Sequence, residues 1–357
     1  MAGIKPVKFV HKVIDANPAG TFNDVTLVFD VNGDGYNDIV VGGLKGENNL
    51  VWYEWPTWKR HVIGTAPLEA GGVVFDLNRD GRPDIIAGEM QSNHLYWWEN
   101  PPDPTQLWKR RVIEDQISAN FHDQIFADVD GDGEPELVIL TKKDDIGIYY
   151  DLPEDPTVEP WPADLRHMIY QGLKLEGLAV VDIDGDGENE IIVGPGYFKR
   201  PAKKGQLWRR VGIAEHLKSP RVAAADLNGD GVLDLVFCEA ESTPAQLVWF
   251  EGPDFKRSHV LRTDLFHVHS LAIADFNGDG FPDIFAGEMH LGRHPGVPRL
   301  LIYLNDGKGN FTETEIECPQ GTHEAKVADI GNTGRPSIIG KPYMPHNQVD
   351  LWENVTA

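Results

Sequence analysis

The chain has 357 residues, 41% of them hydrophobic and 10% aromatic, with a formal charge of −24. That content suffices for a large core, and no apolar run approaches the roughly 18 residues of a membrane span. The acidity argues against nucleic acid and anionic membrane as partners. A chain this long would suggest two or three domains, unless it is an array of repeats.

The N-terminal stretch MAGIKPVKFVHKVID has no apolar segment of signal-peptide length. The chain carries no readable address; a secreted or periplasmic protein whose export signal had been trimmed would look the same. The stretch VKFVHKVID does resemble one recurring segment, WKRHVIG, met later in the chain.

From residue 30 onward a nine-residue pattern repeats. Its first copy, at 30–38, offers Asp30, Asn32, Asp34, the carbonyl of Tyr36, and Asp38. The second, at 76–84, offers Asp76, Asn78, Asp80, the Arg82 carbonyl and Asp84. The third, at 128–136, has Asp128, Asp130, Asp132, Glu134 and Glu136. The fourth, at 182–190, has Asp182, Asp184, Asp186, Glu188 and Glu190. The fifth, at 226–234, has Asp226, Asn228, Asp230, Val232 and Asp234; the sixth, at 275–283, has Asp275, Asn277, Asp279, Phe281 and Asp283. Oxygens at alternate positions, with a glycine at the sixth for the sharp turn, suit a calcium ion. Up to six structural calcium ions are expected, which would halve the formal charge. A seventh copy, at 329–337, has Gly331, Thr333 and Ser337 in place of the ligands. It is expected to keep the turn and lose the metal.

The copies begin 44 to 54 residues apart, the length of a four-stranded propeller blade. A strand such as VTLVFD enters each loop, and a β-branched run such as DIVVG leaves it. A third strand follows (NLVWYE, HLYWWE), then a fourth (WKRHVIG, WKRRVIE). All ten tryptophans fall in or beside these last two strands and are expected to pack blade against blade. The seventh unit ends at VDLWENVTA without a fourth strand, so the N-terminal strand supplies it. The expectation is an all-β protein: a single seven-bladed β-propeller over residues 1–357, with four-stranded blades, closed by pairing of its two ends. Of two cysteines, Cys238 lies in an apolar run and reads as a buried inert thiol.

The D-x-[DN]-G-D-G-x-x-[DE] loops resemble FG-GAP, or VCBS, repeats, found in integrin heads and many microbial secreted proteins. Among enzymes with such propellers, the chain resembles aldos-2-ulose dehydratases and rhamnose–glucuronate lyases in blade count and in a histidine-rich face. The resemblance implies a carbohydrate-active protein.

The rim opposite the loops is where chemistry is expected. Six residues before each loop aspartate stand Asp24, Ala70, His122, Glu176, Pro220, His269 and His323. After the second strands come Lys45, Glu89, Lys142, Tyr197, Glu239, Glu288 with His290, and Lys341 with Tyr343. This rim also collects His267, His294 and His346. Three imidazoles with an open position could hold zinc or another divalent ion. Alternatively a histidine acts as base and a tyrosine or second histidine as acid, with Arg221 or Lys341 against the developing enolate. The expected function is β-elimination from a sugar or uronate-containing glycan, by His122, His269, His290, His323, Glu176, Arg221, Lys341 and Tyr343. A glycan- or protein-binding propeller without catalysis is the alternative, and hydrolysis by Glu176, Glu239 and Glu288 the competing enzyme class. Oligomeric state is not readable from the sequence.

Overall fold

A computed structural model describes residues 4–90, 92–117, 120–291, 296–318, 320–343 and 346–357. It contains seven antiparallel four-stranded sheets, each taking its strands in chain order but one. The exception is the seventh, ordered Phe9–Asp15, Val349–Asn354, Ser337–Gly340, Lys326–Ala328. Its outer strand is the N-terminal one, paired in register from Phe9 with Asn354 to Asp15 with Val349. The innermost strands contact one another in sequence around the axis, and that of blade seven touches those of blades six and one. The ring is closed, as the two half-blades at the chain ends require.

Seven apolar clusters lie between adjacent blades, one at each junction. Each sheet is therefore buried on both faces. That explains why second strands such as Asp84–Gly88 (DIIAG) read as unbroken apolar runs. Side chains alternate between the two junctions: Trp98 packs toward blade one and its neighbour Trp97 toward blade three. Trp52, Trp97, Trp98, Trp249 and Trp352 are fully buried in these clusters.

The outer strands add a recurring layer. Trp52 stacks on His61 at 4.4 Å, Trp249 on His259 at 4.1 Å and Trp352 on His11 at 4.9 Å, each pair facing across two strands. The same imidazoles bond Glu54, Glu251 and Asp350. These histidines, with His167 between Tyr149 and Asp151, belong to packing. Cys238 is fully buried, its thiol against the Val268 carbonyl, and burial pushes it up to about 12. It is inert.

The seven loops share one backbone. The glycine at the sixth position has φ between +72° and +92° throughout, from Gly334 to Gly133. The fourth position is left-handed too: Arg79 (+57°) and Asn332 (+53°) stand where the others have glycine. The first aspartate ties the turn together; Asp30 accepts from the amides of Gly33, Asp34 and Gly35. Asp329 does the same for Thr333 and Gly334 in the seventh loop, which keeps the turn without the acids.

Candidate functional site

The face opposite the loops opens into a cavity of about 250 Å³ on the axis. Its lining includes Asp24, Glu69, Asn120, His122, Lys142, Glu241, His269, His323 and Tyr343. Blades one, two, three, five, six and seven thus converge there.

Three of these residues sit at irregularities where the innermost strand begins. The register with the second strand slips between Asn23 and Val25, between Phe121 and Gln124, and between Val268 and Ser270. Asp24, His122 and His269 occupy those slips. A bulge breaks strict alternation and re-aims side chains, so the neighbouring residues His122 and Asp123 both reach the axial network. In blade seven a positive φ at Glu324 (+52°) serves the same end beside His323.

The floor is an ionic network. Arg221 is buried, with Nη1 donating to Asp123 Oδ1 at 3.0 Å and Nη2 to His269 Nδ1 at 2.9 Å. It also bonds Glu324. His122 Nδ1 lies 2.8 Å from Asp123 Oδ2. Lys142 Nζ faces Glu176 Oε2 at 2.9 Å as an ion pair, and Glu241 at 3.6 Å. Burial would raise Glu176, yet Arg221 and Lys142 bring it down to about 2. Burial and then Arg221 hold the His269 imidazole down to about 4. Burial, with His269 and Lys341 nearby, keeps His323 far below its usual range. Both rings are neutral at physiological pH, 4.4 Å apart, and His323 lies 4.8 Å from the Tyr343 ring.

The wall beside His323 behaves differently. Asp24 is 2% exposed, and among the described residues neither of its oxygens has a hydrogen-bond partner. Its Oδ1 lies 3.4 Å from His323 Nδ1, which is equally unpartnered. Burial pushes Asp24 up to about 7, opposed by the Lys341 ammonium. Burial likewise raises Glu69, whose Oε2 is also without a partner. Lys341 itself is buried, donates to the His323 carbonyl at 2.9 Å, and is lowered by burial to about 8.

The structure therefore gathers His122, His269, His323 and Tyr343 on one cavity. Glu176, Arg221 and Lys341 belong to the network beneath it and are outside the lining. His290 is half-buried between Met289 and Leu291 and is also outside the lining. His346 is exposed, His267 contacts Thr243, and His294 lies outside the described residues. Tyr197 is a core residue of a third strand. Glu239 and Glu288 hold loops: Glu239 accepts from the amides of Lys218 and Gln246, and Glu288 from Phe266 and Arg299. Glu69, Asp123 and Glu324 were not singled out from sequence. Each is one residue from a position that was: a bulge brings in Asp123, a left-handed turn Glu324, and Glu69 stands just before the positive-φ glycines Gly71 and Gly72.

Among the described residues, potential metal donors gather in three settings. His269, His323 and Glu324 approach within 4.8 Å of one another, as do Glu176, Glu241 and His269. In the loops, Asp128 with Asp130 and Glu136, and Asp182 with Asp184 and Glu190, do so as well.

The FG-GAP-like repeat family matches residues 30–87, 76–139 and 226–286. The chain is a seven-bladed β-propeller carrying FG-GAP-like repeats. No curated protein matches the sequence. Among solved structures, the V. cholerae biofilm matrix protein Bap1 is similar at 12% identity with a TM-score of 0.54, covering 99% of this chain and 91% of that one. At that identity the likeness concerns the fold.

Proposed function

We propose that the axial cavity of this FG-GAP-repeat propeller carries out acid–base β-elimination on an uncharged sugar. The observation that carries this reading is the Asp24–His323 corner. A buried carboxyl with no partner and a pKa near 7 is costly to keep, and it is matched to proton transfer at neutral pH. Asp24 as carboxylate removes the proton α to a carbonyl. The electron pair forms the new C=C bond, and the β-oxygen departs with a proton from Glu69, whose carboxyl burial raises above its usual range. The Lys142 ammonium, which lines the cavity, faces the enolate oxygen. His323 and His269 accept substrate hydroxyls through neutral rings, and His122 positions Asp123 and through it Arg221.

Charge selects the substrate. Among the described residues the Asp24 and Asn120 side chains each present acceptor oxygen without a partner, so the ligand must bring donors, as sugar hydroxyls do. The buried cations Arg221 and Lys341 are taken by Asp123, Glu324 and the His323 carbonyl. They are not available to a uronate, and Lys142, the cation on the lining, is already paired with Glu176 and lies near Glu241. The His269–His323–Glu324 group does not fit zinc either, because Arg221 donates into two of its members and a guanidinium there repels a divalent ion.

The loops are proposed to hold calcium. Their ninth-position acids are buried and accept backbone amides, two in five of the loops, as Asp38 does from Val31 and Trp55, and one, from Ile183, at Glu190. Burial raises Asp38 and Asp84 to about 7. A divalent ion in the loop would restore their ionised form.

The unpartnered acceptors at the cavity also suit a second reading, in which it binds a glycan without chemistry. A panel of neutral keto sugars and uronates, scored for binding by calorimetry and for turnover by ultraviolet absorbance of the conjugated product, separates the two. Turnover restricted to uncharged sugars supports elimination. Binding with no turnover across the panel supports the binding-only reading, and preference for uronates contradicts the charge argument.

A further inference from the structure

The residue that lies in register with the ninth loop position, at the loop end of the third strand, is acidic in five blades: Glu54, Glu99, Asp151, Glu251 and Glu353. Blade six has Leu304 there, and blade four has Lys199. In blades one and two the acid lies opposite a lysine of the outer strand, Lys59 or Lys109. Lys199 lies opposite Arg209. Like charges placed directly across a ladder repel, so the lysine is turned away from its cross-strand neighbour. It turns into the loop: its ammonium stands 2.5 Å from Asp184, 3.0 Å from Asp186 and 3.3 Å from Glu190. The next residue, Arg200, bonds Glu188 of the same loop.

We infer that the blade-four loop carries its own cation, with the Lys199 ammonium seated among the carboxylates that in the other loops would face a metal ion. Three carboxylates converge on one ammonium, which leaves no room for calcium without expelling the lysine. In the blade-three loop, by contrast, Lys204 touches Asp130 alone, at 2.8 Å, and its second partner is Asp151 outside the loop. The Asp128–Asp130–Glu136 group converges as Asp182, Asp184 and Glu190 do, but among the described residues only its Asp130 meets an ammonium. Of the six acidic loops, five would then depend on calcium, and blade four would keep its order without it.

The inference rests on the calcium reading of the other loops. Hydrogen exchange followed by mass spectrometry, on metal-free and calcium-loaded protein, tests both. Peptides covering 30–38, 226–234 and 275–283 are expected to lose protection on calcium removal, while 182–190 stays protected. Calcium stoichiometry is expected to be five for the wild type and six for Lys199→Met. Equal calcium dependence of 182–190, or a sixth calcium in the wild type with the affinity of the rest, overturns the inference. So does a Lys199→Met variant that gains no ion. Indifference of every loop to calcium overturns the calcium reading and this inference with it. The wild-type exchange data decide the matter even if the variant folds poorly.

Discussion

Calcium removal should make the stability of this propeller fall with rising pH, which is opposite to the usual behaviour of surface carboxylates. The groups responsible are the buried ninth-position acids. Asp38 and Asp84 rise from 3.8 to about 7, Glu136 from 4.5 to about 7, and Asp283 to about 6, with burial the leading cause in each. A folded-state pKa above the unfolded one means the native protein binds more protons. The contribution is therefore fully present below the unfolded pKa near 4 and is lost as pH climbs through about 7. Each pKa unit corresponds to about 1.4 kcal/mol. Allowing for water above the loops, the loss is on the order of 2–4 kcal/mol per loop between about pH 4 and pH 8. Summed over three or four loops, that lowers the melting temperature by roughly 10 °C. Calcium competes with the protons, so the loaded protein should melt higher, and increasingly so as pH rises. Scanning calorimetry on dialysed protein across this range, with and without added calcium, measures the effect. A metal-free melting temperature that is flat or rises with pH, or one that calcium leaves unchanged at pH 8, would refute the reasoning.

Two further outcomes follow from packing. Deleting residues 1–14 removes the outer strand of blade seven, with Phe9 against Phe276 at 6.1 Å and His11 on Trp352. The exposed edge should produce aggregation; a monomeric truncation with unchanged melting, by light scattering and calorimetry, would contradict closure by this strand. Gly71 has φ +96°, and a Cβ there would lie 1.8 Å from the His122 carbonyl oxygen. Gly71→Ala should cost on the order of 3 kcal/mol, read by denaturant unfolding, and a loss below about 1 kcal/mol would show that blades two and three separate more easily than their contact implies.

The fold was legible because one unit recurs. The loop spacing, the Gly at its sixth position, and the unpaired third strand VDLWEN at the C-terminus together predict the ring and its closure. The site was legible only in part. Counting back from each loop aspartate finds Asp24, His122, His269 and His323, because the extended chain climbs from the loop toward the opposite face at the same rise per residue in every blade. The count fails one residue further on. Asp123 joins the axis through a bulge and Glu324 through a left-handed residue, neither announced by periodicity, and Glu69 stands just before the positive-φ glycines Gly71 and Gly72. It also misassigned the cations: Arg221 and Lys341 sit on the rim by sequence, but their side chains run under the floor to Asp123, Glu324 and the His323 carbonyl. Tyr197 was placed on the rim because blade four turns tightly at Gly194, where φ is +57°, and resumes at once as the third strand Gly196–Lys199. The tryptophans and the outer-strand histidines, in contrast, follow their strand positions closely.

The most direct test of the central claim is the pH dependence of kcat/KM for elimination from a neutral keto sugar, in the wild type and in Asp24→Asn. The wild-type profile should rise through an inflection near pH 7 as Asp24 ionises. Asp24→Asn should retain the fold, lose that inflection and fall by about 100-fold or more. An Asp24→Asn variant that turns over the sugar at the wild-type rate, or a wild-type profile with its inflection in the ordinary carboxylate range, would contradict it.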